Sequence, residues 1–212
     1  MNLVEKYKTY RKVLVKLHMK ILDEFVSQSD FERGGKILDI VKNNKVVFQY
    51  YNEKDILFDF IIYEKIRDGH SALSEYEKRY GAKNSNEEEI LAAMKLSETS
   101  LYEVIGINKE NSTILLRDIL NNSKKSKLLD IGLSKSINTN VLVFTRLIKF
   151  DEFNMTSGLG LAFSGNYRDF LIRKSKKIMK KTKSGDTSVD RFVAFFKLSR
   201  TDGIPILFES VK

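Results

Sequence analysis

The chain has 212 residues, 42% of them apolar and 11% aromatic, with no Cys and a net charge of +9. That much apolar and aromatic surface argues against intrinsic disorder, the length fits one compact body or two small lobes sharing a core, and the lack of Cys excludes a disulfide framework and a thiolate metal site. No apolar run reaches the roughly 18 to 20 residues of a membrane helix, the richest, Ile56 to Tyr63, being broken by Asp59; with no secretory pattern at the N-terminus either, the expectation is a cytoplasmic protein that does not insert into a membrane.

From Asn2 to about Gln28, Leu3, Tyr7, Tyr10, Leu14, Leu17, Ile21 and Phe25 recur at steps of three and four, the stripe of a long amphipathic helix. Ser29 or Asp30 is a candidate N-cap for a second helix running to about Asn43, with Gly34-Gly35 weakening its first turns. Val46 to Tyr51 is aromatic and β-branched, and periodicity leaves it open as a strand or a helix start. Helices are expected over Asp55 to Arg67, ended by Asp68-Gly69, over Ser71 to Tyr80, stopped by Gly81, and from about Asn86 to Ser97, where Glu87-Glu88-Glu89 suits the positive end of a helix.

Near residue 100 the pattern changes. Leu101 to Ile107, Thr113 to Leu120, Lys127 to Leu133, Val141 to Phe150 and Phe153 to Thr156 are short Val/Ile/Leu-rich runs separated by polar turns such as Asn108-Lys109-Glu110-Asn111 and Asn138-Thr139-Asn140. They read as consecutive hairpins of a small curved sheet or barrel of four to five antiparallel strands. Beyond Gly165 a helical stripe of Tyr167, Phe170, Leu171 and Ile178 returns, Lys183-Ser184-Gly185-Asp186 reads as a linker, Val189 to Leu198 is a last helix or a strand, and the tail Gly203 to Val211 holds the sole proline, Pro205. The whole is an α+β protein: a helical lobe over 1–98, a barrel-like sheet over 99–165, and a basic helical region with a tail over 166–212 that packs on the rest.

The segment Leu57 to Gly165 resembles the body of bacterial and archaeal proteins that carry a SEC-C (SecA C-terminal-like) motif. The likeness rests on Phe58-Asp59-Phe60-Ile61-Ile62-Tyr63, the Asp68-Gly69 break, helices at Ala72 to Tyr80 and Glu87 to Leu96, then Ser100-Leu101-Tyr102-Glu103-Val104, Leu115-Leu116-Arg117-Asp118-Ile119-Leu120 and Val143-Phe144-Thr145-Arg146-Leu147 before the turn at Gly158. It implies a helical lobe followed by a small β-barrel. The Cys/His zinc motif that names that family cannot exist in a chain without Cys, so no zinc role is carried over.

Charge is the strongest functional lead. Residues 166 to 200 hold eleven Lys or Arg against three Asp, a net of +8, while the first 165 residues are nearly balanced. Arg173, Lys176, Lys177 and Lys180 fall on one face of the expected helix, flanked by Lys174 and Lys181, a row that can track phosphates and release condensed counterions. The expected partner is therefore DNA or RNA, bound without strong sequence preference; the alternatives are a non-catalytic protein-interaction or adaptor protein, and an enzyme whose site the sequence does not reveal. The bland reading of the same stripe is a solvated charged helix. Tyr167 and Phe170 have the chemistry to stack on bases, but their helical spacing reads as core.

Other constellations are weaker. Ser157 to Gly165 is a glycine-bearing loop of the kind that cradles phosphate, and Gly160 and Gly165 have the glycine spacing of a Walker A loop, yet Asn166-Tyr167 stands where Lys and Ser/Thr are needed. A tight connection requiring positive φ is the better reading. His18 reads as a packed helix residue and His70 as a loop residue, so no catalytic residue is assigned. Asp55 and Asp59 share a helix face but are a poor hard-cation site by themselves, and no metal or other cofactor is expected.

Overall fold

The computed structural model describes residues 2–204. The first helix, α1 (Leu3–Phe25), is capped by the Asn2 side chain and buries Tyr7, Tyr10, Leu14, Leu17 and Ile21, the expected stripe. Helix α2 (Gln28–Ile37) is capped by Ser27, two residues before the earlier of the expected caps, Ser29 and Asp30, because Ser27 and Asp30 form a reciprocal capping box. It also stops well short of Asn43. Asp39 takes a left-handed backbone and Asn43-Asn44 turn a two-residue hairpin, both at positive φ, between β1 (Val41–Lys42) and β2 (Lys45–Val46). Gly34 and Gly35 are close-packing positions: a Cβ on Gly35 would lie 2.9 Å from a Val46 methyl and 3.1 Å from one of Val41.

Three shorter helices complete the N-terminal half: α3 (Glu53–Tyr63), α4 (Ala72–Tyr80) with a Ser71 capping box and its end at Gly81, and α5 (Ser85–Lys95) capped by Asn84. The chain then enters β3 (Glu98–Asn108), β4 (Thr113–Asp118) and β5 (Lys125–Leu129), passes through the single turn α6 (Leu133–Ser136), and returns in β6 (Val141–Lys149) and β7 (Asn154–Thr156). The strands pair in the order β3-β4-β5-β7-β6, and β6 pairs back on β3 across six residues. The ring is therefore closed. Its closing pair, β5 with β7, is parallel, where consecutive hairpins alone would have made every pair antiparallel. A bulge between Val104 and Gly106 bends β3 so that it can serve both neighbours.

Strand alternation sorts the barrel residues by side. Tyr102, Val104, Ile114, Leu116, Leu128, Val143 and Leu147 fill the interior, joined by Ile137. On the outside, Leu101, Leu142 and Phe144 pack with Phe60 and Ile61 of α3 and with the last two elements, α7 (Arg168–Thr182) and α8 (Thr187–Asp202). Helix α8 is a core element: Phe192, Phe195 and Phe196 are fully buried, and Phe195 stacks on Phe144 at 4.5 Å between centroids and 15° between planes. A sixth strand, β8 (Leu161–Ser164), pairs with β6 on the outside of the ring.

The helices and the barrel are also joined by charge. Arg146 of β6 donates from Nε to Asp59 (3.1 Å) and from Nη2 to Glu64 (2.5 Å), with its guanidinium 4.3 Å from the Tyr63 ring centroid. Ser157 donates to the other Asp59 oxygen, and Tyr63 in turn meets His18 Nε2 at 2.8 Å. All of Arg146, Asp59, Glu64 and Ser157 are buried. Burial alone would lower the Arg146 pKa, but Asp59 and Glu64 outweigh it and hold the guanidinium charged.

Candidate nucleic-acid interface

The basic row lies on α7, which follows β8 through one 3-10 turn, Gly165–Tyr167. The helix buries Leu171 and Ser175 and packs Ile178 partly against the core, chiefly beside α8. A left-handed Lys183 ends it, and Asp186 caps α8 by accepting from the Ser188 and Val189 amides, so the linker read at Lys183 to Asp186 is a tight turn between two packed helices.

At about 100° per residue, Arg173, Lys174, Lys176, Lys177, Lys180 and Lys181 occupy an arc of about 160° centred opposite the buried stripe. All six are exposed. The four other cations of the segment that touch the body are used by the fold. Arg191 donates to the Thr99 carbonyl (2.5 Å), Lys197 pairs with Asp39 (3.1 Å), and Arg200 makes a two-bond clamp on buried Glu53 (2.7 Å each). Arg168 reaches Glu103 at 3.9 Å. Among the described residues, none of the six on α7 has an ion-pair partner, and neither does exposed Lys183, which sequence reasoning left out because it lies beyond the helix.

The arrangement costs the helix something. Arg173 with Lys177, Lys176 with Lys180 and Lys177 with Lys181 are like-charged neighbours one turn apart, each unfavourable by about 0.2–0.5 kcal/mol. Only Lys180 and Lys181, in the last turn, gain from the helix dipole. A face built this way has a chemistry: an array of exposed cations spanning about 12 Å along the helix axis, suited to a polyanion.

The structure also places the weaker sequence candidates. Tyr167, expected in the core, is 47% exposed, because the 3-10 turn takes it off the helical stripe; Phe170 is half-buried against the core, its ring 6.1 Å from that of Tyr167 and 5.8 Å from Lys174 Nζ. The glycine segment is no phosphate cradle: Leu161 to Phe163 is buried strand, and Gly165 is pressed against Asn140, to whose carbonyl it donates at 2.8 Å. Positive φ is needed at Gly158 alone in that segment. Asp55 is exposed while Asp59 is buried on Arg146, so they share no cation site, and no cluster of metal-ligating side chains occurs among the described residues. His18 is packed on Tyr63 as expected, and burial lowers its pKa to about 4. His70 lies in the Arg67–His70 turn. No helix among the described residues is long and apolar enough to cross a membrane. Pro205 and the rest of the tail lie outside the described residues.

Residues 1–209 match the model of a family described as Family of unknown function (DUF7986). The chain belongs to the DUF7986 family. No curated protein and no solved structure matches it.

Proposed function

We propose that this DUF7986 member is a cytoplasmic protein that binds nucleic acid without strong sequence preference through α7. Arg173, Lys176, Lys177 and Lys180 contact phosphates, and Lys174 and Lys181 flank them. One observation carries the reading: Arg168, Arg191, Lys197 and Arg200 of the same segment are engaged by Glu103, Thr99, Asp39 and Glu53, while Arg173, Lys174, Lys176, Lys177, Lys180 and Lys181 are all exposed and without an ion-pair partner among the described residues. Such a face carries electrostatic repulsion that the fold does not offset. The SEC-C resemblance is one of layout and contributes no residue to this reading.

The test is fluorescence anisotropy of labelled DNA and RNA across a salt series. Micromolar or tighter binding is expected, with log K falling linearly in log salt. Replacing Arg173, Lys176, Lys177 and Lys180 with Ala removes four phosphate contacts and reduces a duplex slope by about 3–4. If that variant binds as the wild type does, the assignment to α7 is wrong.

A second reading, a non-catalytic adaptor, is favoured by Phe48, Tyr50 and Tyr51, which stand exposed between β2 and α3, Tyr51 completely so. It predicts a stable protein complex that survives high salt and is indifferent to the α7 substitutions.

A further inference from the structure

One part of the barrel exterior carries no helix. On β4 and β5 the outward positions that the helices leave uncovered are Leu115, Arg117, Lys125 and Lys127, of which Leu115 is 40% exposed and both lysines are exposed. The antiparallel register sets Arg117 directly opposite Lys125 and Leu115 opposite Lys127. Like charges directly across an antiparallel pair are destabilising, and the one acid in ion-pair reach among the described residues is Glu103, which is divided between Arg117 (3.2 Å) and Arg168 of α7 (3.9 Å). Glu103 is thus the joint between the barrel's basic face and the start of α7. One residue before Arg168 along the chain stands the half-exposed ring of Tyr167.

We propose that the β4–β5 face and α7 form one track for single-stranded nucleic acid, with Tyr167 stacking on a base where the two surfaces meet. The proposal rests on the α7 reading and deepens it. Charge complementarity selects a polyanion. The exposed aromatic selects one whose bases are unpaired, because only a base with a free face can stack on a side chain, and such stacking tolerates any sequence. Leu115 lies among the cations as an apolar contact for sugar or base, which a surface reading phosphates alone would not need.

The experiment compares the full chain with Tyr167→Leu, with the double variant Lys125→Gln/Lys127→Gln, and with the α7 quadruple variant. Labelled oligothymidylate and a mixed-sequence duplex of equal length are titrated across salt, with circular dichroism to verify folding. Tyr167, Lys125 and Lys127 make no side-chain hydrogen bond or ion pair among the described residues, so both variants should fold. Expected are a loss of roughly fivefold or more in single-strand affinity for Tyr167→Leu with duplex affinity unchanged, and a single-strand salt slope lowered by about 1 to 1.5 for the lysine pair. If both variants bind oligothymidylate as the wild type does while the α7 quadruple variant has lost affinity, the single-strand track is wrong and the α7 assignment stands. If the α7 variant is equally unaffected, or the wild type binds neither probe, both fall.

Discussion

Arg146 and Asp59 lie 87 residues apart and meet at 3.1 Å, one on a barrel strand and the other on α3, each almost wholly removed from solvent. With Glu64 they form a buried triad in which every charge has a partner. Such a triad adds little net stability when intact, since desolvation offsets attraction, but it is costly to break. Arg146→Met would leave two buried carboxylates facing each other. A loss of about 3–5 kcal/mol is expected in urea unfolding, and Arg146→Lys should recover only part of it, because an ammonium cannot address Asp59 and Glu64 with a planar fork.

His18 makes stability depend on acid. Its folded pKa is lowered to about 4 by burial, with Asp59 opposing and Arg11 and Arg146 adding to the shift, against an unfolded value near 6.5. Between those values the unfolded chain binds the proton and the folded chain does not, so the contribution is fully present above about pH 6.5 and is lost as pH falls toward 4. At about 1.4 kcal/mol per unit the loss is about 3–4 kcal/mol. His18→Gln should flatten the stability profile over that window, measured by denaturant midpoints at pH 7, 5.5 and 4.5.

Phe195 anchors α8 on the barrel through its stack on Phe144 and an edge contact to Phe163 at 6.2 Å. Phe195→Ala should cost about 3–5 kcal/mol. Phe195→Leu should cost less, with secondary structure retained in both by far-ultraviolet dichroism.

The α7 quadruple alanine variant should behave in the opposite way. It relieves three like-charged pairs one turn apart and introduces the best helix former. The melting temperature is expected to stay the same or rise by a few degrees. Scanning calorimetry checks this, and a variant that melts lower would show that the basic face supports the fold.

Legibility in the sequence differs from element to element. The α1 stripe, the Ser71 to Gly81 helix and the β3, β4 and β6 runs are legible because 3.6- and 2-residue periods and local turn chemistry are written in adjacent residues. The second helix is over-read to Asn43 because left-handed Asp39 carries no signal stronger than helical spacing. Strand β8 is hidden inside a glycine-bearing segment, since its partner β6 is about twenty residues away and pairing, not propensity, makes it a strand. The α7 cations are legible as a row, and their exposure follows from helical geometry.

What the sequence determined by itself is therefore local: the α+β class, the approximate places of most helices, the turn residues and the side of α7 that carries charge. Tertiary structure alone decided which charges find partners. Arg146, Arg191, Arg200 and Lys197 look no different in the row from Lys176 or Lys180, and only a closed ring with its parallel β5–β7 seam and a buried α8 brings Asp59, Thr99, Glu53 and Asp39 to meet them. Side-chain period is a property of neighbours along the chain, whereas charge pairing belongs to contacts that loop closure must first create.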